Sequence, residues 1–135
     1  MNPKNIESKA KSLAIVMGEM PSNNYRIYVE PEVAARAFQI IGNGIESDFV
    51  NALNQIIPPY MPPYIDKSEM IHRIGVGVEN TRVIYLKVAK AYFPENFDEA
   101  GLVTSLDKLA LEFKCDECDV IRNDASALHM RFWWD

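Results

Sequence analysis

Apolar positions recur at helical spacing in four stretches of the chain and alternate at period two in five others, so hydrophobic pattern alone divides most of the sequence into elements. Ile6, Ala10, Leu13, Ala14 and Met17 form one stripe of a helix predicted over 3–17. Asn2 would cap it, Pro3 would take the first helical position, and Gly18 and Pro21 would end it. Ile15 falls outside the stripe, either as a lone exposed isoleucine or as a point that a neighbour covers. Tyr25 to Glu30 alternates and predicts a strand over 25–30. Pro31 stops it and can open a helix over 32–41, carried by Val33, Ala34, Ala37, Phe38, Ile40 and Ile41 and closed by Gly42-Asn43-Gly44. A further helix follows over 47–57, with Phe49, Val50, Leu53, Ile56 and Ile57 as its buried side.

Four prolines between 58 and 64 forbid helix and sheet ladder alike, which makes this stretch a stiff connector of polyproline II character. Pro59 and Pro62 have the PxxP spacing of a docking segment, but the pattern is loose and a plain connector is the favoured reading. Strands are expected over 70–78 and 82–91, joined by Glu79-Asn80-Thr81. Closing that turn at Asn80-Thr81 sets Val76 against Tyr85, Gly77 against Ile84 and Gly75 against Leu86. Large residues beside glycines then imply a helix packed closely over the bare backbone, or a ligand lying there. Asn96 and Glu99 read as a capping pair for a helix over 97–114, with Leu102, Val103, Leu106, Leu109, Ala110 and Phe113 inside.

The last two strands, 117–122 and 127–134, flank the polar corner Asn123 to Ser126 and read as a hairpin. Alternation puts Leu128, Met130, Phe132 and Trp134 on a core side, and His129, Arg131 and Trp133 on the other. A turn at 123–126 would set Arg122 against Ala127, Val120 against His129 and Cys118 against Arg131. The order after the first helix is strand, helix pair, strand, strand, helix, strand, strand. That predicts an α+β two-layer sandwich in one domain spanning 1–135, with a mainly antiparallel sheet of about five strands. Its core would be ferredoxin-like, βαββαβ, with an added helix in front and an added strand behind.

The 135 residues, 48% hydrophobic and 24% charged, suit a folded globular chain. A formal net charge of −5 and the lack of any Lys/Arg run speak against nucleic-acid binding, and the balance suits a basic protein partner. No apolar run approaches the ~20 residues that cross a bilayer, so no membrane association is expected and the location expected is cytoplasmic.

Cys115 and Cys118 stand in a CxxC arrangement. As a redox pair it is unpersuasive, because Asp116 and Glu117 between the sulfurs raise thiol pKa values. As a metal site the two cysteines would need His129 and a fourth ligand from His72, Asp116 or Glu117, and neither a second CxxC nor an HxxxH supports it. Two ordinary, partly buried cysteines are the default, and no cofactor is implied. The carboxylates are scattered, with none paired to a nucleophile, so nothing in the chain argues for catalysis. Gly75-Val76-Gly77 lacks the third glycine of a dinucleotide fingerprint.

What remains is a binding surface. Arg122, His129, Arg131 and Trp133 would share one face of the closing hairpin, and arginine and tryptophan dominate interface hot spots. The alternative for Trp133 is cover by the first helix. The function expected is binding, as a homodimer that inhibits or escorts another protein. The second expectation is a small-molecule-binding domain, with its pocket near Gly75 and Gly77.

Overall fold

A computed structural model describes residues 3–19, 26–57, 72–77, 82–90 and 97–134. Their order is α1 (Pro3–Glu19), β1 (Arg26–Val29), α2 (Pro31–Ile40), α3 (Gly44–Ile56), β2 (His72–Gly77), β3 (Arg82–Ala89), α4 (Glu99–Glu112), β4 (Glu117–Asn123) and β5 (Ala127–Trp134). The chain is thus α+β, with four helices beside a five-stranded antiparallel sheet among the described residues. The proline-rich connector, the turn at Asn80-Thr81, the Asn2 cap and Asn96 lie outside the described residues.

The helices cover one face of the sheet. Leu53, Phe49 and Val50 of α3, Val33, Ala34 and Phe38 of α2, and Leu102, Leu106 and Leu109 of α4 meet Ile74 and Val76 of β2, Ile84, Leu86 and Val88 of β3, and Leu128, Met130, Phe132 and Trp134 of β5 in a single buried cluster. The inward set expected on β5 is therefore the core set, and the strand alternates in burial along its whole length. α1 packs mainly on α2, with Ala10 and Leu13 buried. Glu7 fastens the two helices through a two-pronged pair with Arg36, Nε to Oε2 at 2.7 Å and Nη2 to Oε1 at 3.0 Å. The guanidinium holds the Glu7 carboxyl below its ordinary pKa, and the carboxylate raises that of Arg36.

The strand order, β1-β2-β3-β5-β4, differs from the split arrangement read from element order. In a βαββαβ core the first two strands run parallel with another strand between them. Here β1 pairs directly and antiparallel with β2 at one edge of the sheet, and β4 pairs with β5 at the other. The helix pair and the long connection after it return the chain beside the strand it left, an outcome that the succession of elements does not specify.

Helix boundaries moved for local reasons. α1 runs through Gly18 to Glu19, two residues past the expected end. α3 begins at Gly44, three residues before the expected start, and buries Glu46 and Ser47. The cap of α4 is Asp98, whose carboxylate accepts from the Gly101 amide at 2.9 Å. A Cβ at position 101 would lie 2.2 Å from Asp98 Oδ2, so the glycine admits that cap. The expected Gly42 turn is present with φ 87°, and the Asn43 amide donates to Phe38 O at 2.8 Å.

At the N-terminus of α4, Glu99 meets the Lys90 ammonium at 2.5 Å and accepts from Asn123 Nδ2 at 3.2 Å. The Lys90 hydrogen bond, then that of Asn123, lowers the Glu99 pKa. A depressed carboxylate contributes stability that is complete above the unfolded value of about 4.3 and is lost as pH falls through the folded one. Urea unfolding should therefore find Glu99→Gln less stable than the native protein at pH 7, with the gap closing as pH falls below about 5 and on through the lowered folded value. A gap independent of pH would remove the charge from this account.

Candidate functional site

The side of the sheet away from the helices collects the alternate side chains of every strand. Its registers differ by one or two residues from those read in the sequence. Gly75 lies opposite Tyr85, not Leu86, and Tyr28 of β1 lies opposite Gly75 on its other flank. A Cβ on Gly75 would stand 2.8 Å from Tyr28 Cε1 and 2.8 Å from Tyr85 Cβ. Tyrosines on the two neighbouring strands, not a helix or an open ligand floor, occupy the space above this glycine. Gly77 pairs with Arg26 through the backbone, and its surroundings lie outside the described residues.

The closing hairpin is also shifted. Asp124 Oδ1 accepts from the Ser126 amide at 2.9 Å, the Ser126 hydroxyl at 2.7 Å and the Ala127 amide at 3.0 Å, a side-chain-stabilised turn that pairs Asn123 with Leu128 and Arg122 with His129. These bonds hold the Asp124 carboxyl well below the usual carboxylate range. Continued without interruption, that register would point Asp119 into the core beside Phe132. A bulge between Val120 and Arg122 adds one residue, and beyond it Asp119 faces Arg131 and Cys118 faces Phe132. The irregularity thus keeps a carboxylate out of the apolar layer.

The four residues proposed for this face reach it in two groups. Arg131 bonds Glu117 at 3.0 Å, lies 4.0 Å from Asp119, and sets its guanidinium carbon 5.6 Å from the Trp133 ring centroid. Trp133 sits half-buried opposite Val83 and Glu117, on the other side of the sheet from α1, so cover by the first helix is not what the fold provides. Arg122 and His129 instead border a concavity of about 360 Å³ with Tyr28 and Ile121. The Tyr28 ring lies edge-on to the His129 imidazole, centroids 6.3 Å apart and planes at 80°. Because of the bulge, Ile121 and Arg122, adjacent in sequence, line the same space. Sequence reading missed Tyr28, Ile121 and Lys87. Only Lys87, a single charge in the otherwise apolar run Val83 to Ala89, left a visible signal.

The cysteines do not join this face. Cys118 lies on the helix side, where its thiol donates to Asp107 Oδ1 at 3.2 Å, while His129 lies on the other side. Cys115 donates to Glu117 O at 2.8 Å and Trp133 O at 3.3 Å. Burial raises both thiol pKa values, and Asp107 raises that of Cys118 further. The three side chains weighed as metal ligands therefore do not converge, and among the described residues no group of three His, Cys, Asp or Glu side chains is placed to hold a metal ion. His72 has its backbone opposite Val88, and its side chain lies outside the described set.

A second feature lies on the helical layer. Ile15, Ile40 and Ile41, with Ala14 and the stem of Lys11, border a shallow apolar groove of about 400 Å³ between α1 and α2. Ile15 is 65% exposed, and Ile40 and Ile41 are 38% and 40% exposed. No helix among the described residues is long and apolar enough to cross a membrane. Comparison with known proteins finds no matching family model, no similar curated protein and no similar solved structure.

Proposed function

We propose that the protein works by binding, as a homodimer that engages another protein to inhibit or escort it. The observation that carries the reading is the isoleucine groove on α1 and α2. Ile15 lines this shallow groove together with Ala14, Ile40 and Ile41, and is the most exposed of the three isoleucines. A two-fold contact brings the same patch of both copies together, so an apolar strip can be buried against its own copy. Exposure of several isoleucines at one place also exceeds what scattered surface residues require. A second copy is the occupant that matches this patch on both counts.

The side left for a partner is acidic. Exposed Asp107, Glu112, Asp116, Glu117 and Asp119 gather where the end of α4 meets the β4 edge, and together with a net charge of −5 they favour a basic protein. Val120 and Ile121, 46% and 40% exposed on that edge, add apolar contact within it. Two unbridged cysteines suit a reducing compartment such as the cytoplasm.

Light scattering over a concentration series should give twice the chain mass. Ile15→Glu should raise the dimer dissociation constant by about a hundredfold or more, since it buries an unpaired charge, while leaving the melting temperature of the monomer unchanged. A native monomer at the highest soluble concentration, or a dimer indifferent to both Ile15→Glu and Ile41→Glu, would overturn the reading.

A further inference from the structure

The outer face of the sheet carries two cationic side chains, Lys87 and Arg122, flanking His129, that the self-association reading does not use. Lys87 on β3 pairs with His129 on β5, and His129 pairs with Arg122 on β4. Residues directly opposite in an antiparallel sheet project to the same side with Cβ atoms ~5 Å apart. A chain with a net charge of −5 nevertheless sets Lys87, His129 and Arg122 shoulder to shoulder. Among the described residues no carboxylate forms an ion pair with the exposed Lys87.

Arg122 is held in a particular way. Its Nε donates to Asp124 Oδ2 at 2.7 Å, and the other oxygen of that carboxylate is already engaged by Ser126 and Ala127. The anchored carboxylate therefore orients the guanidinium by one nitrogen, and the terminal pair of nitrogens is left to grip an oxyanion with two parallel bonds. Next to that fork is the concavity of about 360 Å³, with the Tyr28 ring and Ile121 as its apolar walls. Gly75 makes the tyrosine wall possible, because any side chain there would lift the ring that reaches across to His129.

We infer that this concavity binds a small organic anion, a carboxylate or phosphate monoester carried on a flat apolar body. Arg122 takes the anionic head, Lys87 supplies the surrounding positive field, and Tyr28, Ile121 and the His129 ring pack the body. The volume fits a ligand of modest size. The site is independent of the isoleucine groove, which lies on the helical layer, so either can fail alone.

Amide-resolved NMR titration with benzoate, phenyl phosphate, inorganic phosphate and neutral benzamide tests it on the intact chain. Benzoate or phenyl phosphate should shift the amides of Tyr28, Lys87, Ile121, Arg122 and His129, with benzamide and inorganic phosphate each binding about tenfold or more weakly for want of one half of the contact. Arg122→Gln should weaken the organic anion by about ten- to a hundredfold and Lys87→Met by less, whereas Lys108→Gln on the outside of α4 should change nothing. Whichever of the two organic anions binds more tightly identifies the head group. Absence of localised shifts, equal binding of benzamide, inorganic phosphate binding as tightly as the organic anions, or affinity unchanged by both Arg122→Gln and Lys87→Met would overturn the assignment.

Discussion

Phe49→Ala is expected to destabilise the protein by about 3–5 kcal/mol, a large share of the ~5–15 kcal/mol that holds a typical domain together. Phe49 is fully buried in α3 and stands at the centre of an aromatic cluster, with ring centroids 4.8 Å from Phe132, 5.2 Å from Trp134 and 5.4 Å from Phe113. Truncation removes the buried area of the ring and three edge or tilted ring contacts, and it leaves a cavity that neighbouring helices cannot readily close. The cluster also spans three segments. Trp134 Nε1 donates to Phe113 O at 2.9 Å, so the end of β5 caps a carbonyl at the end of α4 while its ring rests on α3. Urea unfolding should show a much lower midpoint with an unchanged slope. A loss under about 1 kcal/mol would mean that the three rings repack without Phe49, against the known cost of phenylalanine cavities.

Gly75→Val should cost about 1–3 kcal/mol or more and should also disturb the outer face. The new Cβ would meet Tyr28 Cε1, at the end of a ring that can swing away, and Tyr85 Cβ, which cannot move without its backbone. Tyr85 is buried to 1% exposure, so the strand must shift or the sheet must open locally. Displacing Tyr28 removes the edge contact with His129 and one wall of the concavity. The same variant should therefore show a lower melting temperature and weaker binding of an aromatic anion. Gly75→Ala should already show both effects in part, since the crowding begins at Cβ. A native melting temperature for Gly75→Val would mean that β2 stands farther from its two tyrosines than these distances place it.

The elements were legible because their patterns are local. Leu128, Met130, Phe132 and Trp134 alternate without interruption, and that run of large apolar residues leaves only one side of β5 able to face a core. Leu102, Leu106 and Leu109 likewise admit a single buried side for α4. The candidate site was legible only in half. Arg122 and His129 could be placed on one strand pair, but Tyr28 lies about a hundred positions earlier in the chain and on the opposite edge of the sheet, two strands beyond β3. Nothing near Tyr28 in sequence announces that it meets His129.

Registers show the limit most clearly. The sequence offered a polar corner at 123–126, and the step of two residues in pairing beside the turn was decided by Asp124, whose carboxylate collects two backbone amides and a hydroxyl. The bulge at Val120 to Arg122 then followed from two demands that cannot both be met by an unbroken ladder: the turn sets one register, and exclusion of Asp119 from the core sets another.

By itself, the sequence determined the number and kind of elements, the inward side of each, and an acidic chain whose two tryptophans both lie in its last strand. Tertiary structure alone decided the strand order, the pairing of Gly75 with two tyrosines, the separation of Cys118 from His129, and the meeting of Tyr28, Ile121 and Arg122 around one hollow. The reason is physical: periodicity encodes which side of an element avoids water, a property of neighbours along the chain. The choice among partners for that side depends on loop closure, on packing volume and on which charges must stay solvated, and these are settled only when distant segments compete for the same space.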